Sequence, residues 1–146
     1  MSLPLAYIDT SAFVKRFLVE VHTPAIEAFI ADNQYSLMVS SLSLVELTCV
    51  LKRKLRLGEV AQQLVALIHE QVHMELASRA LNLHVVEPST FELASSLIER
   101  LASPLSSLDG IHLASAKAAQ CSMMVSADKQ LVRAAHELGL QVLDVT

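Results

Sequence analysis

Four acidic residues occupy positions where a carboxylate could act on a bound ligand. Asp9 directly follows the first apolar, strand-like run, Asp128 follows the fourth, and Asp109 begins a predicted helix after a serine-rich loop. Each aspartate could also serve only as a helix N-cap, a role that contributes about 1 kcal/mol. Glu46 is different, because it lies inside an apolar helical segment, where a carboxylate needs a partner or a raised pKa.

The four carboxylates together predict a site for a hard divalent cation. If they converge at one end of a sheet, they repel one another and favour a cation between them. Mg²⁺ and Mn²⁺ accept carboxylate oxygens and keep several waters, so ions held here could activate a water and stabilise a phosphodiester under attack. Ser11 and Ser126 stand near two of the aspartates and could add hydroxyl groups to the site, or could cap helices instead.

The elements that must position these residues follow from the hydrophobic pattern. Short apolar, β-branched runs alternate with longer segments of helical periodicity, which predicts an α/β fold with a parallel sheet covered on both faces. The predicted strands are 5–8, 36–40, 83–86, 123–126 and 141–143, and the predicted helices are 10–19, 23–31, 42–55, 59–80, 89–101, 108–119 and 129–138. Ser89 and Glu92 predict a capping box after the third strand. Ligands bind beyond the carboxyl ends of such strands, where Asp9, Glu46 and Asp128 fall.

Length and hydropathy bound the architecture. The 146 residues predict a single domain over 1–146, including a helical hairpin at about 42–80 that interrupts the strand–helix alternation. Hydrophobic residues make up 53% of the chain and the mean hydropathy is +0.46, so we expect an apolar partner surface besides the core. The longest charge-free stretch, 33–45, is too short to span a bilayer, and the N-terminus lacks the pattern of a secretory signal.

Composition excludes several classes of site. Three glycines, far apart in the chain, allow neither a Rossmann fingerprint nor a P-loop. Cys49 and Cys121 are too few for a cysteine-based zinc site or a disulfide framework, and both are expected to be small buried residues of a cytoplasmic protein. The formal net charge is −4 and aromatic residues are only 4%, which argues against a base-stacking or broadly basic surface.

Two other patterns give alternative functions. Residues 69–73 match H-E-x-x-H, so His69 and His73 could share a zinc ion with Glu70 as general base, as in a zinc metallopeptidase. No clear third-ligand motif follows. Aspartates at strand ends are also typical of phosphoacceptor receiver domains, but Asp9 has no acidic neighbour. A further alternative is a non-catalytic binding module with structural carboxylates.

The segments that carry the four carboxylates resemble the PIN domain, and most strongly its VapC-type toxins. These segments are Ala6-Tyr7-Ile8-Asp9-Thr10-Ser11-Ala12, Ser43-Leu44-Val45-Glu46-Leu47, Leu108-Asp109-Gly110-Ile111-His112-Leu113-Ala114-Ser115-Ala116 and Val125-Ser126-Ala127-Asp128-Lys129-Gln130-Leu131. The similarity covers essentially the whole chain, in order and at suitable spacing. It implies a three-layer α/β/α sandwich with strand order 3-2-1-4-5. It also implies an acidic quartet that binds metal and catalyses the reaction, formed by Asp9, Glu46, Asp109 and Asp128.

The resemblance further implies an Mg²⁺- or Mn²⁺-dependent endoribonuclease that acts on RNA, forms a homodimer and is inhibited by an antitoxin, here of the VapB type. Ser11 and Ser126 match its supporting hydroxyl positions. Ser126 stands where Thr is commoner, and Gly110 stands where Ala is commoner, so Gly110 is expected to loosen the start of its helix. Four of the negative charges belong to the quartet and the rest of the chain is formally neutral, so acidity no longer argues against an RNA substrate.

Basic residues near the quartet are candidates for binding RNA phosphates. The first group ends the helix that carries Glu46 and comprises Lys52, Arg53, Lys54 and Arg56; the second candidates are Lys15 and Arg16. Cations at a helix C-terminus also complement the helix dipole without any ligand. His112, one turn after Asp109, is expected to be a satisfied buried ring, although it could instead hydrogen-bond substrate or a carboxylate.

Overall fold

A computed structural model describes residues 2–20 and 22–146, which contain a parallel five-stranded sheet. The strands are β1 (Leu5–Ile8), β2 (Ser36–Ser40), β3 (Leu81–His84), β4 (Met123–Ser126) and β5 (Gln141–Asp144). The central strand is β1, where Tyr7 pairs with Met38 of β2 on one side and with Met124 of β4 on the other. The order β3-β2-β1-β4-β5 confirms the predicted α/β architecture and strand order.

Seven α-helices cover the sheet in the described part of the chain. They are α1 (Thr10–Phe13), α2 (Thr23–Ala31), α3 (Ser41–Arg56), α4 (Gln62–Ser78), α5 (Pro88–Arg100), α6 (Ser107–Ala118) and α7 (Lys129–Leu138). A turn of 3₁₀ helix (Val14–Arg16) continues α1. None of the helices in residues 2–20 and 22–146 combines the length and apolar character needed to cross a membrane.

Side chains of β1 alternate between two cores, because successive strand residues point to opposite faces of a sheet. Ala6 and Ile8 pack into a core built with α1 to α4, which includes Phe13. Tyr7 points to the other face, into a core built with α5 to α7, which includes Leu113. Both faces are therefore covered, and the ends of the strands are where polar side chains can reach solvent.

Several predicted element boundaries are wrong. The helical segment after β1 ends at Arg16 rather than at residue 19, and Val19 is 95% exposed, so it has no core to pack against. The fourth helix spans Gln62–Ser78 rather than 59–80, and Arg79 ends it with a left-handed φ of 63°. This early end lets β3 begin at Leu81, two residues before the prediction, where Leu81 pairs with Leu37.

The predicted capping box of α5 is shifted by two residues. The helix begins at Pro88, whose fixed φ suits the first helical position, so Glu87 is the N-cap. The Glu87 amide donates to Thr90 Oγ1 at 3.4 Å, and these two residues form the box instead of Ser89 and Glu92.

Two further expectations are corrected by packing. Gly110 does not loosen α6, because a Cβ at this position would lie 2.5 Å from Cδ1 and 2.8 Å from Cγ1 of Ile98 in α5. The glycine therefore allows α5 and α6 to pack closely. Cys121 is buried as predicted, with its Sγ 3.8 Å from Met38 Sδ, whereas Cys49 is exposed on α3.

Candidate functional site

The four acidic residues singled out from the sequence line one cavity of about 480 Å³ at the carboxyl edge of the sheet. Asp9 follows β1, Asp128 follows β4, Glu46 lies in α3, and Asp109 lies in the first turn of α6. Four separate elements thus converge on one opening. The remaining lining residues are Thr10, Ser11, Val14, Glu20, Val50, Arg53, Lys54 and His112.

Asp9 is the most deeply placed of the four, at 3% exposed, and three hydrogen bonds hold its carboxylate. Its Oδ1 accepts from Ser11 Oγ at 2.7 Å and from the Ala12 amide at 3.0 Å, and its Oδ2 accepts from Ser126 Oγ at 2.6 Å. Burial raises the pKa of Asp9, and the bonds from Ser126 and Ser11 oppose that rise. Asp9 is therefore both the N-cap of α1 and a fixed wall of the cavity.

The two serine hydroxyls act on Asp9 rather than as helix caps. Ser126 Oγ donates to Asp9 and accepts from the Asp128 amide at 2.9 Å, while Ser11 Oγ accepts from the Ala127 amide at 3.0 Å. These bonds tie the end of β1 to the connection between β4 and α7. Both serines therefore contact Asp9, and their supporting role at a metal site stays a prediction.

Asp109 and Asp128 differ in what holds them. Asp128 caps α7, with Oδ1 accepting from the Gln130 amide at 2.9 Å and the Leu131 amide at 3.1 Å. Asp109 is not the cap of α6; Ser106 takes that role by accepting from the Asp109 amide. Burial raises the pKa of Asp109, and the negative charges of Asp128 and Asp9 add to the rise. Asp109 is thus close enough to Asp128 and Asp9 for their charges to oppose its ionisation.

Glu46 has found the partner that its apolar segment requires. Its Oε1 accepts from Thr10 Oγ1 at 2.8 Å and from His112 Nε2. Burial opposes ionisation, but the hydrogen bond and charge of His112, together with the Thr10 bond, outweigh burial and lower the pKa of Glu46. Of the two possibilities for this residue, a partner or a raised pKa, the structure has the partner.

Three side chains connected to Glu46 were not assigned to the site from the sequence. His112 is a satisfied buried ring, as expected, but its partner is a carboxylate of the quartet. Thr10 gave no signal beyond standing next to Asp9. Tyr7 could have been noticed, since a tyrosine inside an otherwise apolar buried strand needs a partner for its hydroxyl.

The basic candidates separate into two groups. Arg53 and Lys54 line the cavity, and Lys54 pairs with Glu20 at 3.8 Å and Glu59 at 3.4 Å. The other four candidates are not among the residues that line it: Lys52, Arg56, Lys15 and Arg16.

Lys15 and Arg16 are engaged elsewhere. Lys15 is buried and pairs with Glu20 at 3.4 Å. Arg16 binds both carboxylate oxygens of Glu75 in α4, at 2.9 and 3.0 Å. Their contacts join the segment after α1 to its neighbours.

The oxygen-rich donor set of the quartet fits a hard divalent cation, which would offset the charges of Asp128 and Asp9 that add to the effect of burial on the pKa of Asp109. Within residues 2–20 and 22–146, no three His, Cys, Asp or Glu side chains are grouped closely enough to hold one ion as they stand. The alternative zinc motif fits less well, because His69 and His73 line a separate cavity of about 170 Å³ that Glu70 does not line.

Comparison with known proteins agrees with the fold. The chain matches the family model described as PIN domain over residues 6–137. The chain belongs to the PIN domain family. No protein of curated function matches this PIN domain by sequence.

Solved structures share the fold of this PIN domain at low sequence identity. The Mycobacterium tuberculosis toxin VapC20, described as cleaving the sarcin–ricin loop, has a TM-score of 0.70 at 15% identity, covering 88% of this chain and 94% of its own. A toxin–antitoxin complex from Klebsiella pneumoniae has a TM-score of 0.65 at 13% identity, covering 97% and 98%. DNA-bound VapBC from Salmonella typhimurium has a TM-score of 0.62 at 14% identity, covering 100% of both chains.

Proposed function

We propose that this PIN domain is a divalent-metal-dependent endoribonuclease and the toxin of a toxin–antitoxin pair. The observation that carries the proposal is the convergence of four carboxylates from four elements on one cavity. Structural similarity to VapC20, a toxin that cleaves an RNA loop, favours RNA as the substrate. Membership of the PIN domain family supports a nuclease over a zinc peptidase, a receiver domain or a passive binding module.

In this proposal Asp9, Glu46, Asp109 and Asp128 hold Mg²⁺ or Mn²⁺. When bound, the cation activates the attacking water and stabilises the charge that develops on the phosphodiester. Ser11 and Ser126 keep the Asp9 carboxylate in place, as their bonds of 2.7 and 2.6 Å indicate. Oε2 of Glu46 has no hydrogen-bond partner among the described residues, so it can accept a new ligand.

Two basic side chains at the cavity support binding of the RNA backbone. Arg53 lines the cavity, is exposed, and makes no ion pair within the described ranges. Lys54 lines the cavity beside it, with Glu20 and Glu59 as partners that an RNA phosphate could replace. We propose that these two side chains bind phosphates, with Lys52 and Arg56 extending the basic surface along α3.

A homodimer and an antitoxin of the VapB type are the proposed protein partners. Toxin–antitoxin complexes among the similar structures support the antitoxin partner. Exposed apolar side chains offer surface for such contacts: Val45 and Phe91 line a cavity of about 260 Å³, and Leu67 and Met74 lie on the outside of α4. A monodisperse monomer of the chain expressed alone would contradict the homodimer, and failure to copurify with the product of an adjacent small gene would contradict the antitoxin.

The test of the enzymatic proposal is an RNA cleavage assay with Mg²⁺, Mn²⁺ or EDTA. Wild type and the Asp32→Asn control, which removes an exposed acid outside the cavity, should cleave with metal and stop in EDTA. Asp109→Asn should remove cleavage while the circular dichroism spectrum stays unchanged. Undiminished cleavage by Asp109→Asn would refute the site, and loss of activity in His69→Ala instead would favour the zinc alternative.

A further inference from the structure

A chain of buried hydroxyls and one imidazole runs from the middle of the sheet to the cavity. The Tyr7 hydroxyl donates to Ser40 Oγ at 2.9 Å and lies 3.4 Å from Ser43 Oγ. It also lies 2.6 Å from His112 Nδ1, and the two rings meet edge to face with centroids 5.7 Å apart. Tyr7, Ser40 and Ser43 are fully buried and His112 is 2% exposed, so water does not compete for these bonds.

The chain ends on a carboxylate of the quartet. The Nε2–H group of His112 donates a hydrogen bond to Glu46 Oε1, because an ionised carboxylate can only accept hydrogen bonds. Thr10 donates to the same oxygen at 2.8 Å. Both donors therefore hold Oε1, and within residues 2–20 and 22–146 Oε2 has no hydrogen-bond partner, in a residue that lines the cavity. Two donors on one oxygen restrict rotation of the carboxylate and so limit the directions in which Oε2 can point.

The His112 ring is held at two atoms, which distinguishes the arrangement from simple packing. Nδ1 of His112 contacts Tyr7 while Nε2 contacts Glu46, so the imidazole cannot rotate without losing both bonds. Tyr7 is held in turn by Ser40 and Ser43 at the junction of β2 and α3. Ser40 and Ser43 cap α3, the helix that carries Glu46, so one network sets both the helix and its carboxylate.

We propose that Tyr7 and His112 are positioning residues of the metal site, holding Glu46 by Oε1 so that Oε2 is aimed for a cation. This inference rests on the proposed metal-dependent function and adds to it two residues outside the quartet. His112 acts directly on Glu46, and Tyr7 acts through His112. Partners of metal-binding side chains commonly change metal affinity by about 10–100-fold when removed.

The experiment measures the Kd for Mn²⁺ alone, by electron paramagnetic resonance on the metal-free full chain, with unfolding followed in parallel. We expect His112→Leu to weaken Mn²⁺ binding by roughly 10–100-fold. His112→Gln, whose amide can donate to Oε1 again, should recover part of this loss. Tyr7→Phe keeps the ring and removes only the hydroxyl, so it tests the chain in a variant that is expected to fold. The matched control is Ser115→Ala, which removes a buried hydroxyl that lies on α6 and bonds the Ile111 carbonyl, and which should leave the Kd unchanged.

A second comparison separates positioning from a general loss of stability. In a Glu46→Gln background, His112→Leu and Tyr7→Phe should no longer change the Kd, because both act through the Glu46 carboxylate. Wild-type affinity in folded His112→Leu and Tyr7→Phe, or equal losses with and without Glu46→Gln, would overturn the positioning role while leaving the metal site standing. Absence of Mn²⁺ binding by wild type itself would overturn the metal site and this inference together.

Discussion

The close contact between α5 and α6 makes Gly110→Ala an informative perturbation. In most helices this change stabilises, because alanine is favoured over glycine by about 1 kcal/mol. Here the new Cβ would lie 2.5 Å from Cδ1 and 2.8 Å from Cγ1 of Ile98, distances that require Ile98 or a helix to shift. The substitution therefore sets helix propensity against steric overlap at one defined contact.

The expected magnitude follows from these two opposing effects. Overpacking a tight contact costs about 1–3 kcal/mol. Ile98 is 37% exposed and can swing partly toward solvent, which keeps the cost in the middle of that range. After the gain in helix propensity, we expect a net loss of about 1 kcal/mol, or about 2–4 °C in melting temperature.

Urea unfolding of wild type, Gly110→Ala, Ile98→Ala and the double variant tests this reasoning. In the Ile98→Ala background the overlap is absent, so Gly110→Ala should stabilise by about 1 kcal/mol. A stabilising effect of similar size in both backgrounds would refute the steric argument. Since α6 carries both Asp109 and His112, the single variant should also weaken Mn²⁺ binding.

Two other predictions follow from paired and unpaired charges. Arg16→Met breaks the two-point pair with Glu75, whose side chains are 16% and 12% exposed, and should lower the free energy of unfolding by about 1–3 kcal/mol in urea titrations. Asp109→Asn should stabilise the metal-free protein at pH 7 but not near pH 3. Burial and the charge of Asp128 raise the pKa of Asp109 in the folded protein above its ordinary value of 3.8. The protonated carboxyl therefore favours folding at pH below 3.8, and this stability is lost as the pH rises through the pKa of the folded state. A difference in melting temperature between the two proteins that is the same at pH 3 and at pH 7 would contradict this prediction.

The sequence predicted what depends on pattern and on residue type. Alternation of apolar strands with amphipathic segments indicated a parallel sheet, and the PIN resemblance implied its order. Asp9 and Asp128 could be assigned to the cavity because residues directly after β1 and β4 must emerge at one sheet edge. Glu46 could be singled out because an apolar helix does not tolerate an unpartnered carboxylate.

What the sequence could not give depends on contacts between distant segments. The hydrogen bond between Tyr7 and His112 joins residues 105 positions apart, and neither residue type indicates which residue its partner is. Gly110 suggested a loose helix until its contact with Ile98 was known. The pairing of Arg16 with Glu75, 59 residues away, is set by the fold, and no pattern in the sequence indicates it.

Direct measurement of Mn²⁺ binding tests the central claim that the four carboxylates form a metal site. Metal-free wild type, Asp9→Asn, Asp109→Asn and the control Asp32→Asn would be titrated with Mn²⁺ and followed by electron paramagnetic resonance. We predict binding by wild type and Asp32→Asn, and strongly weakened binding by Asp9→Asn and Asp109→Asn. Wild type should also gain about 2.7 kcal/mol in stability at 100 times the Kd. Equal Mn²⁺ affinity in Asp109→Asn and wild type would contradict the account.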